Sequence, residues 1–270
     1  MPKHTVAVIG AGKIGELVLS GLLRSGWPAS RLLVTARRAA RGAELADRYG
    51  VTVVENAEAV TRADILAIAV KPQDAAALLD EIGAKVPADK LVVSLCAGLP
   101  TSFFAARLPE GTPVVRVMTN TPALVDQAMT AISAGPHANG EHLAIAEEMF
   151  KPLGVTLRVP ESQQDAVTAL SGSGPAYFYL LVEAMIDAGI LLGLPRQVAH
   201  ELIVQTAVGS AVMLRDSGEH PVKLREAVTS PAGTTISAIR ELEKHGVRAA
   251  LLAALEAARD RARQIAADMR

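Results

Sequence analysis

The sequence predicts an α/β protein in which a doubly wound parallel sheet is followed by an all-α domain. Through residues 1–160, short β-branched runs alternate with longer amphipathic stretches, the order expected of strands joined by right-handed helical crossovers. A glycine-rich turn directly follows the first run, and no strand pattern occurs between Asp165 and Arg270. We therefore expect two domains, residues 1–160 and residues 161–270.

The sheet is predicted from runs that are mostly apolar at consecutive positions, as in parallel strands covered on both faces. The six main strands are expected at Thr5–Ile9, Leu32–Thr35, Thr52–Val54, Ile65–Val70, Leu91–Leu95 and Val114–Met118. Amphipathic stretches between them predict helices over Ile14–Arg24, Arg38–Tyr49 and Asp74–Ile82. Two further strands, Met129–Ser133 and Val155–Val159, are expected to extend one edge of the sheet.

After Pro160, four or five helices are expected in series. Pro175 and Pro195 stand where helices can begin, because proline is tolerated at the first helical position. The stretch Pro195–Arg215 is apolar around most of its circumference, and such a helix needs cover on every side. The other helices of the domain are too few to supply that cover. We therefore expect a homodimer through the helical domain, or a higher oligomer that contains it.

Composition excludes several classes of protein. The 27 basic and 28 acidic residues give a net charge of −1, which argues against a nucleic-acid binder. The single cysteine excludes a disulfide framework within the chain and fits a reducing cytosol. The six histidines show no metal-ligand spacing. The longest uncharged stretch, Ala166 to Val182, is too short and interrupted for a membrane helix, so we expect a soluble, cytoplasmic protein.

The turn Gly10-Ala11-Gly12-Lys13-Ile14-Gly15 is a dinucleotide fingerprint, because it follows a strand and opens a helix. Gly10 permits a tight turn, Gly12 lets the backbone approach a pyrophosphate, and Gly15 allows close packing of helix on strand. The helix N-terminus, with Lys13 and Ile14 in its first turn, favours negative charge. A glycine-rich turn with no ligand is the alternative. The N-terminal domain is therefore predicted to be a Rossmann-type nucleotide-binding domain.

The residues about 20 positions beyond the fingerprint select the nucleotide. An NAD-binding chain places Asp or Glu there, whereas this chain has Thr35-Ala36-Arg37-Arg38, with Arg41 one turn later. Cations at a helix N-terminus are unfavourable alone, so an anionic 2′-phosphate would explain them. The alternative is that the arginines form a solvated helix start. We predict NADPH as the cofactor, with NADH as the weaker one.

Three further turns are expected to complete the nucleotide site, because ligands of open α/β sheets bind at the carboxyl ends of the strands. Lys71 is either a contact to a phosphate or a carboxylate, or a solvated lysine. Cys96 is interpreted as a small packed residue rather than a nucleophile, because no histidine lies near it in the sequence. The turns are Asn56 after the third strand, Ala69-Val70-Lys71-Pro72 after the fourth and Cys96-Ala97-Gly98 after the fifth.

Three sequence blocks resemble one family, the pyrroline-5-carboxylate reductases. The block Arg116-Val117-Met118-Thr119-Asn120-Thr121-Pro122-Ala123 resembles the family's R-x-M-P-N-T-P, with Thr119 in place of the usual proline. The blocks 168–177 and 228–235 match the family almost letter for letter. Ala232 stands where glycine is common, a mild change unless that position requires a positive φ. The resemblance covers essentially the whole chain.

The resemblance implies reduction of the cyclic imine 1-pyrroline-5-carboxylate to L-proline, the last step of proline biosynthesis. This chemistry needs a hydride donor, an anion site for the carboxylate, and a hydrogen-bond donor near the ring nitrogen. The loop Ser230-Pro231-Ala232-Gly233-Thr234-Thr235 opens a helix, so its backbone N–H groups are expected to hold the carboxylate. The Thr235 hydroxyl is expected to contact the nitrogen. From the residues alone, an ordinary helix cap explains this loop equally well.

The role of Glu161 and the class of protein each have an alternative interpretation. Glu161 matches a family position near the substrate and the nicotinamide, with a solvated hinge carboxylate as the alternative. A β-hydroxyacid dehydrogenase would share this architecture but usually carries a catalytic lysine on a helix of its second domain, a context that neither Lys223 nor Lys244 has. A non-catalytic, NADP-binding dimeric regulator is the other rival. A dimer would also let the 230–235 loop of one chain approach the nicotinamide held by the other.

Overall fold

The computed structural model describes residues 3–268, which divide into two compact units. The first unit contains the chain up to residue 173 together with the chain from residue 257 onward, and the second contains residues 174–256. The last helix therefore contributes its C-terminal half to the first unit. The expected division between residues 160 and 161 rests on the change of sequence pattern and stays a prediction.

The first unit is built on one sheet with the strand order β3-β2-β1-β4-β5-β6-β7-β8. The expected strands are all present, within two residues of their predicted ends. The order reverses between β1 and β4, the point at which open α/β sheets form a ligand crevice. The strands are β1 Val6–Ile9, β2 Leu32–Thr35, β3 Thr52–Val53, β4 Ile65–Ile68, β5 Leu91–Ser94, β6 Val114–Met118, β7 Ala128–Ala134 and β8 Gly154–Arg158.

The last two strands, β7 and β8, run opposite to the six parallel strands β1–β6. β7 pairs antiparallel with β6, with Arg116 opposite Ser133, whereas β8 returns parallel to β7. The connection between β6 and β7 is only residues 119–127, which is too short for a helical crossover, so the chain turns back on itself. The doubly wound description therefore applies to β1–β6.

Helices cover both faces of the sheet, which explains the uninterrupted apolar strands. In β1, Val6 and Val8 pack into one buried cluster while Ala7 and Ile9 pack into a second, on the opposite face. The helices of this unit are α1 Lys13–Arg24, α2 Ala39–Tyr49, α3 Asn56–Arg62, α4 Pro72–Ile82, α5 Thr101–Ala105, α6 Gly140–Phe150 and α7 Gln164–Val167.

The second unit is helical, as expected. Pro175 is the second residue of its first helix, and Pro195 is the N-cap of the next helix rather than its first residue. A Cβ added at Gly189 would lie 2.9 Å from the Cβ of Ala199, so these two helices pack closely. The helices are α8 Gly174–Leu191, α9 Arg196–Asp216, α10 Pro221–Ala227, α11 Thr234–Lys244 and the first half of α12 Val247–Asp268.

Much of the apolar surface of α9 is uncovered within one chain. Leu202, Val208 and Met213 are each more than half exposed, and Ala199 is the buried residue of this helix. Soluble proteins rarely leave contiguous apolar patches of this kind in water. Much of the apolar surface of α9 is therefore left exposed by its own chain, and cover from another subunit would bury it.

Candidate active site

The glycine loop, residues 10–15, follows β1 and opens α1. Gly10 has φ +105°, and a Cβ there would lie 3.0 Å from the Ala69 carbonyl group. A Cβ on Gly12 would have no atom within 4 Å, so the space beside this backbone is open. A Cβ on Gly15 would lie 2.0 Å from the Gly10 oxygen, so only glycine lets α1 begin this close to the strand. These are the three stereochemical properties that a pyrophosphate-binding turn requires.

The glycine loop opens into a cleft of ≈ 860 Å³ beside the carboxyl ends of β1 to β4. Four helices begin at this cleft without a side-chain cap: α1 after Gly12, α2 after Arg38, α3 after Glu55 and α4 after Lys71. Uncapped N-terminal N–H groups and the helix dipoles together favour an anion. The cleft brings together nine of the predicted cofactor residues, namely Gly10, Gly12, Thr35, Arg37, Arg38, Asn56, Ala69, Val70 and Lys71.

One corner of the cleft carries the arginines expected to select the nucleotide. The side chain of Arg37 is 89% exposed, and its guanidinium lies 3.9 Å from the Asp74 carboxylate, a long and exposed contact. Helix α2 begins directly after Arg38, and its first turn contains no acidic residue. Asn56, also in this part of the cleft, donates from Nδ2 to Glu81 at 3.1–3.2 Å. The corner can therefore accept an anion without breaking a buried ion pair.

Arg41 is the third arginine that the sequence placed near the phosphate. In the structure its guanidinium binds two carboxylates and a backbone carbonyl of the protein. It pairs with Glu16 and Glu44, and its Nε donates to the Ala11 carbonyl at 3.1 Å. Its hydrogen bonds to Glu44 and Glu16 raise the pKa of the Arg41 guanidinium above its ordinary value. Glu44 is three residues away on the same helix, whereas the sequence could not assign Glu16, which lies on a different helix.

The side chains of two predicted cofactor residues, Lys13 and Ile14, line a separate groove on the outer side of α1, together with Tyr49 and Leu124. At the start of α1 they can therefore serve the cleft only through backbone N–H groups. Pro72 is the first residue of α4 and fixes the helix start beside Lys71.

The Cys96-Ala97-Gly98 turn lies at the end of β5, one strand beyond the cleft. Cys96 is buried, and desolvation raises the pKa of its thiol to about 12. Its Sγ lies 3.4 Å from the Val70 carbonyl, so it packs behind the cleft wall rather than acting as a nucleophile. A Cβ on Gly98 would lie 3.2 Å from the Ala262 oxygen, so this glycine admits the last helix. Cofactor contact by this turn stays a prediction.

The family-like block at the end of β6 contains a buried ionic cluster. The Arg116 side chain is 7% exposed and lies 3.2 Å from Asp165 and 3.7 Å from Glu161. Glu161 accepts hydrogen bonds from the backbone N–H and the hydroxyl of Thr101, both at 2.6 Å. Both Glu161 oxygens therefore have protein donors, so this carboxylate ties the segment around residue 161 to the start of α5. A substrate contact by Glu161 stays a prediction.

The same block also contacts Ser171, which belongs to the family-like block 168–177. The sequence did not predict this contact. Asn120 donates to the Ser171 carbonyl at 3.2 Å and accepts from the Met129 N–H at 3.1 Å. Ser171 lies in a π-helical turn, Thr168–Gly172, a feature frequent at functional sites. Thr119, where the family usually has proline, shares a 2.9 Å hydrogen bond with the buried Thr130 hydroxyl.

The predicted substrate loop lies in the second unit and opens α11. Thr234 and Thr235 are the first two helical residues, and Gly233 is the N-cap, without a side-chain cap. The Gly233 N–H donates to the Ser230 carbonyl at 3.2 Å, so this amide closes the turn instead of pointing outward as expected. The amides of Thr234 and Thr235 remain in the position of an anion site.

Ala232 stands at a position with a positive φ, the case in which alanine in place of the usual glycine is not a mild change. Its φ is +56°, in the left-handed region where glycine is favoured. A Cβ on the next residue, Gly233, would lie 2.4 Å from the Ser230 hydroxyl oxygen, so the Ser230 side chain would have to rotate to admit it. The loop therefore combines a closely packed glycine with a strained alanine.

A Rossmann-type cleft at which four helices begin, followed by a separate helical unit, is typical of a nicotinamide-dependent oxidoreductase. Residues 5–98 match the family described as NADP oxidoreductase, coenzyme F420-dependent. Residues 161–265 match the family described as pyrroline-5-carboxylate reductase dimerisation. The chain belongs to the pyrroline-5-carboxylate reductase family.

Individual relatives agree along the whole chain. A pyrroline-5-carboxylate reductase of Corynebacterium melassecola is 42% identical, over 97% of this chain and 98% of the relative. The solved Coxiella burnetii pyrroline-5-carboxylate reductase is 32% identical, with a TM-score of 0.88 over 98% of this chain and 99% of that one. A Plasmodium falciparum pyrroline carboxylate reductase, solved with NADP bound, is 27% identical with a TM-score of 0.90 over the same shares.

The dimerisation match also bears on one apolar stretch. The helical run Glu161–Leu191 is long and apolar enough to cross a membrane by length and composition. The whole run lies inside the matched dimerisation region. Association of subunits therefore supplies a physical reason for its exposed apolar side chains, which include Tyr179 and Leu180.

Proposed function

We propose that this chain catalyses the NADPH-preferring reduction of 1-pyrroline-5-carboxylate to L-proline, the last step of proline biosynthesis. The observation that carries the proposal is the 42% identity, over 97% of the chain, to a pyrroline-5-carboxylate reductase. The reaction adds a hydride to the imine carbon and a proton to the ring nitrogen, and it leaves the nicotinamide oxidised. A bound nicotinamide supplies the hydride, so the protein's task is orientation and electrostatic stabilisation.

The cleft of the first unit is the proposed cofactor site. The glycine loop and the first turn of α1 face the pyrophosphate, and Arg37 and Arg38 face the 2′-phosphate. Thr35 and Asn56 complete the adenosine side, while the turns 69–72 and 96–98 serve the nicotinamide side. NADH lacks the 2′-phosphate, so we expect it to bind less tightly.

The loop opening α11 is the proposed substrate site. The amides of Thr234 and Thr235 hold the carboxylate, since both lie in an uncapped first turn, and the Ser230 carbonyl fixes the turn that precedes them. The Thr235 hydroxyl donates to the ring nitrogen. Glu161 is a further candidate for substrate contact, with its carboxylate fixed by Thr101.

The proposed assembly is a homodimer in which the 230–235 loop of one chain serves the nicotinamide held by its partner. The exposed apolar side chains of α9 support a subunit contact through the helical region. We place the enzyme in the cytoplasm, where a lone thiol such as Cys96 stays reduced.

A turnover assay separates this proposal from its rivals. Purified protein should oxidise NADPH when given pyrroline-5-carboxylate, and should form L-proline in equal amount. A β-hydroxyacid dehydrogenase would instead turn over a 3-hydroxy acid or its keto partner. A non-catalytic regulator would bind NADPH with no turnover at all, and either result would overturn the proposal.

The Thr235 hydroxyl provides the sharper test of the site. Removing a preorganised hydrogen-bond donor typically costs about 10²–10³ in rate. We expect Thr235→Ala to lower kcat/KM for the imine by about that factor, while the Kd for NADPH stays unchanged. Thr235→Ser keeps the hydroxyl and should retain most of the activity. Near-wild-type turnover by Thr235→Ala would remove Thr235 from the mechanism.

A further inference from the structure

We propose that Arg41 is a positioning residue that fixes the glycine loop, and that it acts equally on NADPH and NADH instead of recognising the 2′-phosphate. The proposal rests on the proposed binding of a dinucleotide at this loop, and it is independent of the identity of the imine substrate. Under this proposal Arg41 fixes the glycine loop, whereas Arg37, four residues earlier, binds the 2′-phosphate.

The first observation is a direct contact with the loop. Arg41, on the first turn of α2, donates from Nε to the carbonyl oxygen of Ala11 at 3.1 Å. Ala11 lies between the two glycines whose geometry suits a pyrophosphate, Gly10 and Gly12. Glycines give a loop wide conformational freedom, so a charged donor fixed on the intervening peptide restricts it substantially.

The second observation is that each of the three guanidinium nitrogens already has a partner in the protein. Nη1 pairs with Glu44 at 2.6 Å, and Nη2 pairs with Glu16. The Arg41 side chain is 18% exposed, whereas that of Arg37 is 89% exposed. A phosphate brought to Arg41 would lie beside the carboxylates of Glu16 and Glu44, whose repulsion offsets much of the attraction of the guanidinium. Arg37 lies 3.9 Å from the half-exposed Asp74 carboxylate, so its charge is more available to a phosphate.

The third observation is that Glu16 is itself held in place. Tyr49 donates to it at 2.9 Å and Arg48 pairs with it at 2.8 Å. Burial alone would raise the pKa of Glu16, but the hydrogen bonds from Arg41, Tyr49 and Arg48 outweigh burial and bring the pKa below its ordinary value. Glu16 also donates its backbone N–H to the Gly12 carbonyl at 2.9 Å. The network therefore connects α2 to the glycine loop at Ala11 and, through α1, at Gly12.

The planar peptide explains how this contact acts on a ligand that Arg41 need not touch. In a trans peptide the carbonyl of one residue and the N–H of the next point in opposite directions. When Arg41 holds the Ala11 carbonyl, the Gly12 N–H points away from Arg41. Open space lies beside Gly12, where a Cβ would meet no atom within 4 Å. Arg41 therefore sets the direction of a donor for the pyrophosphate, which NADPH and NADH share.

The experiment compares three variants by the Kd of NADPH and of NADH, measured from nicotinamide fluorescence well below the melting temperature. Arg41→Met removes the charge but keeps the aliphatic stem. It should raise both Kd values by the same factor, about ten-fold to a hundred-fold, because a displaced binding group has effects of this size. The kcat at saturating NADPH should stay unchanged. Arg41→Lys should recover only part of the affinity, since an ammonium lacks the planar fork.

Two controls distinguish the tasks of the arginines. Arg37→Ala should raise the Kd of NADPH alone. Arg62→Met removes an exposed arginine that pairs with Glu58 outside the cleft, and it should change neither Kd. Adenosine 2′-monophosphate, which has the phosphate but no pyrophosphate, should inhibit the Arg41→Met enzyme and the native enzyme at the same concentration.

Several outcomes overturn the proposal. These are a loss of NADPH affinity alone in Arg41→Met, weaker inhibition by adenosine 2′-monophosphate, a lower melting temperature with both Kd values unchanged, or an equal loss of affinity in Arg62→Met. Failure of the NADPH preference has a different signature, because Arg37→Ala would then leave the ratio of the two Kd values unchanged. The two proposals therefore fail independently.

Discussion

Ala232 holds a backbone conformation that costs a residue with a Cβ about 1–2 kcal/mol. Ala232→Gly removes that strain, while glycine adds conformational freedom to the unfolded chain worth about 0.4–1 kcal/mol. We expect the free energy of unfolding to rise by up to about 1 kcal/mol, measured by denaturant titration. Ala238→Gly, at an exposed position inside α11, should lower it by about 0.5–1 kcal/mol. Equal destabilisation by both variants would contradict the strain.

Cys96 is the residue whose chemistry the fold suppresses most. Burial raises the pKa of its thiol from 9.0 to about 12. At mildly alkaline pH the thiolate fraction is therefore about a thousand-fold below that of an ordinary thiol, and the thiolate is the reactive form. We expect labelling of the native protein by a thiol reagent to be slower by at least about that factor, while the unfolded chain reacts at the ordinary rate. Rapid stoichiometric labelling of the native enzyme would contradict this.

At the scale of elements, the turn from β2 into α2 carries the proposed cofactor preference. Charge-assisted hydrogen bonds contribute about 1.5–3 kcal/mol each. Replacing both Arg37 and Arg38 with alanine should therefore raise the KM for NADPH by about ten- to a hundred-fold or more and leave the KM for NADH nearly unchanged. Steady-state kinetics with each cofactor provides the measurement. A parallel loss for both cofactors would show that these side chains do not bind the phosphate.

The elements differ in how far the sequence determines them. The strands could be placed closely because burial on both faces leaves an uninterrupted apolar run, as in Val6–Ile9. Gly10, Gly12 and Gly15 could each be given a separate task, since local stereochemistry decides them. The antiparallel direction of β7 was not predicted, although the short connection of residues 119–127 was visible.

Side-chain partners from distant elements could not be predicted in the same way. Arg41 has the same charge as Arg37, and only the position of Glu16 on α1 separates their environments. The sequence alone gives Glu161 no hydrogen-bond partner, because Thr101 comes beside it only in the folded chain. The Gly233 amide was expected to point outward, yet a 3.2 Å bond to Ser230 uses it. In each case the partner depends on tertiary packing, or on a turn conformation that the residue types leave open.

At the scale of the whole molecule, the helical unit exposes more apolar surface than a lone chain would be expected to leave in water. Leu191 is 88% exposed and Leu192 is 84% exposed, next to the half-exposed apolar residues of α9. Obligate interfaces resemble a hydrophobic core cut in half, so a second copy of the chain would bury this surface. Light scattering at micromolar concentration should therefore not return the mass of one chain, 28.2 kDa.

Subunit mixing tests whether the active site is shared between chains. Gly12→Asp should block the cofactor site, and Thr235→Ala should impair the substrate site, so each homodimer should have little activity. In a mixed dimer with shared sites, one of the two sites is intact. Equal mixing under exchange conditions should then restore about a quarter of native activity, because half of the dimers are mixed. Sites contained within single chains would give no recovery.

The return of α12 to the sheet unit determines when that unit can be finished during synthesis. Residues from 257 onward belong with the sheet, although the ribosome makes them after the whole of residues 174–256. The surface at Gly98 that receives Ala262 and Ile265 therefore stays uncovered on the nascent chain while the helical unit emerges. Contacts this distant in sequence close late, since a long loop must be ordered first. The sheet unit can therefore be completed only after the whole helical unit has been synthesised.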